Sequence, residues 1–234
     1  MSILKWIFTH GPFSPARKAG AAYRRGRFKK AFALLEPMVD AGDPLACRYL
    51  GLLYQFGHGV ARNWHEALRC YQLAAAKGDV EAEFRIGALY DQGEGFAPDP
   101  VQAANWYRRA ADQDHAPAQN NLGDMYFQGQ GVPRNDAEAL KWFSRAAEQG
   151  YAPAQVNLAH MYDYGLAVHK SSAEAARWYL AAASQGDAVA QFNLGNLYAT
   201  GQGVGQDVAA ARSWYRKAAK QGHAAAAEAL DQLG

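Results

Sequence analysis

Residues 121–126 read Asn121-Leu122-Gly123-Asp124-Met125-Tyr126, and the Gly-x-x-Tyr core of this stretch recurs every 36 residues. Gly51, Gly87, Gly123 and Gly195 keep the interval, with Ala159 at the remaining node. Tyr54, Tyr90, Tyr126, Tyr162 and Tyr198 keep it without a gap. So do Ala67, Ala103, Ala139, Ala175 and Ala211, and the rings Tyr71, Tyr107, Phe143, Tyr179 and Tyr215. A register this regular describes one supersecondary unit stacked repeatedly, because a single unit cannot bury its apolar face alone. The 234 residues are therefore expected to form one elongated domain with a core continuous from unit to unit.

Each unit reads as helix A, a loop, helix B and a short turn. A glycine inside helix A costs about 1 kcal/mol relative to Ala, so it needs a packing reason: a neighbouring helix passes over that backbone. Ala159 adds a methyl there, and a small local shift is expected around it. The loops read Gly57-His58-Gly59-Val60, Gly93-Glu94-Gly95-Phe96, Gly129-Gln130-Gly131-Val132 and Gly201-Gln202-Gly203-Val204, with Gly165-Leu166-Ala167-Val168 departing in the fourth unit. Paired glycines let the chain leave helix A through positive φ, and the apolar residue after them should plug the gap between helices. Helix B opens at Asn63, Asp99, Asn135, Ser171 and Asp207, all favourable N-cap residues. Glu66, Gln102, Glu138 and Glu174 complete a capping box three positions later. Gly78, Gly150, Gly186 and Gly222 stop the helix, with Asp114 in the second unit.

The expected organisation is an apolar N-terminal tail over 1–15 and a compact, shorter unit over 16–42. Five full repeats follow at 43–78, 79–114, 115–150, 151–186 and 187–222, and a capping helix at 223–234 closes the stack. The fold class is all-α, built of stacked antiparallel helix pairs. Ile3, Leu4, Trp6, Ile7 and Phe8 are expected to cap the open N-terminal end. Trp64, in the first turn of a helix B, either covers the shorter unit or anchors a partner.

This pattern resembles the Sel1-like repeat family, a branch of the tetratricopeptide-repeat superfamily. The match is carried by Asn121 to Tyr126, Gly129-Gln130-Gly131-Val132, Trp142-Phe143 and Ala146-Ala147. The resemblance implies a right-handed α-solenoid acting as an adaptor or scaffold for other proteins. Bacterial members are often secreted or periplasmic. Here Lys5 interrupts the apolar N-terminal run and Thr9-His10-Gly11-Pro12 ends it, so no secretory signal is read and a cytoplasmic location is expected.

Composition narrows the function classes. Lys and Arg number 24 against 22 Asp and Glu, a net +2 that leaves no overall footprint for nucleic acid. The run Arg24, Arg25, Arg27, Lys29 and Lys30 reads as a solvated face. No stretch approaches the ~20 apolar residues of a stable membrane insertion. Cys47 and Cys70 read as packing thiols. The seven histidines form no His-x-x-x-His pair, and no Cys-x-x-Cys, Gly-x-Ser-x-Gly or cofactor fingerprint occurs, so no catalytic, metal or cofactor site is expected.

Binding is the better-supported use. Helices A should line the concave face of the stack, with positions −3, +1 and +4 from the packing glycine pointing inward. These columns nominate Arg48, Phe84, Asp91, Asn120, Asp124, Phe127, His160, Asp163, Phe192 and Asn196 as a groove for a protein or peptide partner. Phe84, Phe127 and Phe192 would be apolar anchors, unless they pack within the stack. Asn121, Asn157 and Asn193 form a further column, read as structural hydrogen bonds. The alternatives are a membrane-associated assembly factor tethered by the N-terminal apolar segment, and a hydrolase using the groove.

Overall fold

The computed structural model describes residues 15–39, 42–93 and 95–233. Residues 1–14, and with them the expected cap by Ile3, Leu4, Trp6, Ile7 and Phe8, lie outside the described residues. All regular structure among the described residues is helical: α1 Pro15–Arg24, α2 Phe28–Val39, α3 Pro44–Phe56, α4 Trp64–Ala75, α5 Val80–Gln92, α6 Pro100–Asp112, α7 Ala116–Gln128, α8 Asp136–Glu148, α9 Ala152–Tyr164, α10 Ser172–Ser184, α11 Ala188–Thr200, α12 Val208–Lys220 and α13 Ala224–Gln232. They fall into two compact units, Met1–Gln113 and Asp114–Gly234. Within each unit successive helices pack against one another as antiparallel pairs. No helix among the described residues is long and apolar enough to cross a membrane.

Local chemistry starts and stops these helices where the pattern indicates. Asn63, Asp99, Asn135, Ser171 and Asp207 each accept a backbone N–H from the first turn of the helix they precede. Helices α3, α5, α7, α9 and α11 end on Gly57, Gly93, Gly129, Gly165 and Gly201, all left-handed. The loop that follows is closed by one backbone bond. The N–H of each N-cap residue donates to the carbonyl of the recurrent tyrosine, as from Asn135 to Tyr126 and from Ser171 to Tyr162, both at 2.9 Å. Val60, Phe96, Val132, Val168 and Val204 are half-buried behind the loops.

The packing reason for the recurrent glycine is a ring from the helix B of its own pair. An added Cβ would meet Tyr71 at 2.5 Å from Gly51, Tyr107 at 2.6 Å from Gly87, Phe143 at 2.7 Å from Gly123 and Tyr215 at 2.5 Å from Gly195. In the remaining pair, Ala159 and Tyr179 are both buried in one cluster. The second loop glycine has a different neighbour, the first turn of the preceding helix B. A Cβ on Gly203 would lie 2.2 Å from the Ser172 carbonyl carbon, and one on Gly59 2.9 Å from the Lys29 nitrogen. Trp64 is half-buried with its ring against Gly95 of the next loop, and Arg62 lies over its face at 5.1 Å. Ala167 holds the equivalent position in the fourth loop at φ 55, a conformation that an L side chain adopts only at a cost.

A buried amide column ties pair to pair. Gln155, only 5% exposed, donates to the Ala147 carbonyl at the end of α8, and Gln191 does the same to Ala183 at the end of α10. Gln185 donates to Gln155 at 2.9 Å and to the Gly150 carbonyl at 3.0 Å, and Gln221 repeats this on Gln191 and Gly186. The column adds a side-chain donor to the Ala147 and Ala183 carbonyls, which also accept from Gly150 and Gly186 in the closing turns. In the first unit the buried member is Glu83, held by Arg109 at 2.7 Å and Gln113 at 2.6 Å. Cys47 and Cys70 are free and fully buried, and burial pushes the Cys70 thiol up to about 12. They are inert packing groups.

Two substitutions test these contacts. Gly123→Ala is expected to destabilise by about 1–2 kcal/mol, because overpacking against Phe143 outweighs the helix-propensity gain. Ala167→Gly is expected to stabilise by about 0.5–1 kcal/mol, as relief of the left-handed strain exceeds the added unfolded-chain entropy. Urea midpoints at unchanged m-value read both.

Candidate functional site

The sequence-nominated residues distribute over both units. In the first, Arg48 sits 3.2 Å from Asp79, an ion pair whose Nε–H is not aligned on the carboxylate. Phe84 is half-buried against Tyr107, with ring centroids 5.8 Å apart and Arg85 over its face at 5.7 Å. Asp91 is exposed and accepts from the Tyr107 hydroxyl at 3.1 Å.

In the second unit the structure brings most of the others together. Asn120, 6% exposed, donates to Asp124 at 3.0 Å. From the next pair, Asn157 donates to Asn120 Oδ1 at 3.0 Å and to Asp124 Oδ1 at 3.3 Å. One member of the asparagine column is thus a structural clip between α7 and α9. Beside it runs an aromatic ledge. Arg134 covers Phe127 at 5.6 Å, Phe127 meets His160 edge-on at 6.3 Å, and His160 lies on Tyr164 at 4.5 Å. Phe127 is half-buried, His160 is exposed, and Tyr164 is 64% exposed.

Between α9 and α11 the ledge borders a cavity of about 180 Å³. Asp163, Tyr179, Asn193, Asn196 and Thr200 line it together with His160 and Tyr164. Asn196 accepts from the Tyr215 hydroxyl at 2.7 Å. Burial, and after it the Asp163 carboxylate and Tyr164, hold the Tyr179 hydroxyl protonated. Asp163 is the only carboxylate in the lining, and amide and hydroxyl groups share it with the His160 imidazole. Phe192 stands outside this cavity: it is half-buried, stacked on His223 at 4.7 Å and tilted on Tyr215 at 5.9 Å.

Sequence reasoning missed Tyr164, Asn193 and Thr200 as members of this surface. Tyr164 carried a readable signal, since it ends a helix at the position held by Phe56, Gln92, Gln128 and Thr200 in the other pairs. Phe56 is also exposed, at 49%. His115 and His223 turn out to be N-caps, each accepting a backbone N–H on Nδ1. Among the described residues no cluster of His, Cys, Asp and Glu could hold a metal ion.

The Sel1 repeat family model matches residues 44–79, 80–115, 116–151, 152–187 and 188–223. Among solved structures, the chain is 34% identical to a Sel1 repeat protein from Oxalobacter formigenes, covering 94% of this chain and 90% of that one at a TM-score of 0.87. It is 30% identical to a protective antigen present in uropathogenic Escherichia coli strains that displays an SLR fold, covering 100% of this chain and 51% of that one, again at 0.87. An immunity protein from Pseudomonas aeruginosa is 26% identical over 92% of this chain and 81% of that one, at 0.52. No curated protein matches.

Asn157→Ala is expected to cost about 2 kcal/mol, because it removes two donated bonds, one of them to a carboxylate, and leaves the buried Asn120 carbonyl unpaired. Chemical denaturation reads the loss. An unchanged midpoint would show that water replaces the clip without penalty.

Proposed function

The chain belongs to the Sel1 repeat family, and from that premise we propose that it binds a peptide segment of another protein along α7, α9 and α11 of its second unit. Sel1 repeat proteins generally act in protein–protein interaction, and their fold is typically a non-catalytic scaffold. The observation that carries the finer reading is the exposed ledge of His160 and Tyr164 beside a cavity lined by Asp163, Asn193 and Asn196. A Tyr left 64% exposed next to a polar recess is the kind of rigid amphipathic surface found at binding hot spots.

Size and charge narrow the occupant. At about 180 Å³ the recess falls below the ~300 Å³ lower bound of small-molecule sites and suits one side chain of an extended ligand. With Asp163 as the only carboxylate and the amides of Asn193 and Asn196 beside it, that side chain would be a hydrogen-bond donor, basic or amide. Phe127 and its covering Arg134 would then receive an apolar neighbour. Asn120, Asp124 and Asn157 hold the floor without offering free groups. In the first unit Arg48, Phe84 and Asp91 are engaged by their own neighbours, while Phe192 would extend the apolar surface along α11.

Selection of peptides from a displayed random library on the immobilised full chain, followed by fluorescence anisotropy, tests this reading. Tyr164→Ala and His160→Ala are each expected to weaken a selected peptide by about tenfold or more without moving the thermal midpoint, since both rings are exposed. Unchanged affinities in both variants would show that the partner binds elsewhere.

A further inference from the structure

The first unit carries a charge anomaly that peptide binding does not use. Seven of the 24 basic residues, Arg17, Lys18, Arg24, Arg25, Arg27, Lys29 and Lys30, stand between positions 17 and 30, and no acidic residue interrupts them. That leaves 17 basic against 22 acidic residues in the rest of the chain, so the small net charge conceals a strong local one. All seven are exposed on α1, α2 and the turn between them. Lys18, Arg25, Arg27, Lys29 and Lys30 have no ion-pair partner among the described residues. Elsewhere unpaired surface cations such as Arg62, Lys77 and Lys170 stand singly, and others are paired, as Arg69 is with Glu66, Arg134 with Asp136 and Arg177 with Glu174. Unpaired like charges on one surface repel, and folding alone gives no reason to gather them.

The surface has a definite form. Lys18, Arg25, Arg27 and Lys30 ring a shallow basin of about 350 Å³ floored by Ala21, Ala22 and Leu34. Arg27, Lys29 and Lys30 continue it toward Gly59, and Arg17, Arg24 and Arg48 border a second basin. We propose that this basic surface of α1 and α2 docks the protein peripherally on an anionic lipid bilayer.

Two observations favour lipid over other polyanions. The nearest aromatic rings are occupied: Phe28 stacks on His58 at 4.2 Å, and Tyr23 lies edge-on to Phe28 at 5.4 Å. Among the described residues no ring of the basic surface is left for the base stacking that single-stranded nucleic acid uses. Second, the sequence ahead of α1 contains Ile3-Leu4-Lys5-Trp6-Ile7-Phe8, with residues 9–16 between it and Arg17. An apolar aromatic segment or a polybasic patch alone binds a bilayer marginally, whereas the two together give stable attachment. This inference does not depend on the peptide-binding reading, because its surface lies on different helices.

Cosedimentation of the full chain with vesicles provides the test. The protein is expected to partition onto phosphatidylcholine vesicles containing phosphatidylserine, to ignore phosphatidylcholine alone, and to be released by salt. At about fivefold per basic residue, Lys18→Gln, Arg25→Gln and Lys30→Gln combined should weaken partitioning about 100-fold. Far-UV circular dichroism and the thermal midpoint should stay unchanged, since all three side chains are exposed. Equal binding by the triple variant, no partitioning onto the anionic vesicles, or displacement by polyglutamate or single-stranded RNA at matched charge would each overturn the lipid assignment. None of these outcomes touches the effect of Tyr164→Ala on peptide affinity.

Discussion

The repeat unit depends on one contact, an aromatic ring of helix B laid over bare backbone in helix A. Without a side chain at Gly51, Gly87, Gly123 and Gly195, the ring approaches to where a Cβ would sit only 2.5–2.7 Å away. That approach buries Tyr71, Tyr107, Phe143 and Tyr215 almost completely and sets the spacing of each pair. It also creates a demand, because a buried hydroxyl needs a partner. Tyr71 finds Gln55 at 2.7 Å, Tyr107 finds Asp91, and Tyr215 finds Asn196. Where Phe143 removes the hydroxyl, the residue one turn beyond the glycine becomes Phe127, packed in the same cluster. Part of the variation on the outer face is therefore dictated from beneath. Asp91 and Asn196 answer a tyrosine before they can answer a ligand.

The second constraint acts between pairs. A helix-end carbonyl has two lone pairs, and the closing turn uses only part of that capacity at Ala147 and Ala183. The amide column of Gln155 and Gln191, braced by Gln185 and Gln221, takes up the remainder as a link that recurs with the repeat. An amide suits the task because it donates to a carbonyl and accepts from the next amide with no charge to desolvate. In the third pair of the first unit a carboxylate stands there instead, and Glu83 needs both Arg109 and Gln113. Buried charge demands more partners than a buried amide does.

Periodicity made the helix pairs, caps, loop glycines and stop glycines legible, since each follows from local backbone chemistry repeated at one interval. The N-caps Asn63 to Asp207 and the positive φ of Gly57 to Gly222 are of this kind. Side-chain partnership was less legible. The column of Cys47, Glu83, Gln119, Gln155 and Gln191 was visible as a helix face, but nothing local showed that Gln155 and Gln191 reach the preceding helix B. Trp64 was ambiguous for the same reason: its neighbour Gly95 lies on the next loop. The basic run at 24–30 read as a solvated face because a small net charge hid it, and its extent emerged once α1 and α2 placed Arg17 and Lys18 beside it.

What the sequence determined by itself is the class of object: helices of fixed length and fixed ends, each with one apolar stripe, required to stack because no pair closes its own core. Tertiary structure decided which of the outward columns are spoken for. Asn157 reaches back to Asn120 and Asp124, and Phe192 lies on His223. His160 and Tyr164 meet over a recess shared with Asn193 and Asn196. The difference has a physical origin. Capping and helix propensity act within about one turn of chain, whereas contacts such as Asn157 with Asn120 or Phe192 with His223 join groups 30 or more residues apart, whose meeting is set by how the pairs pack.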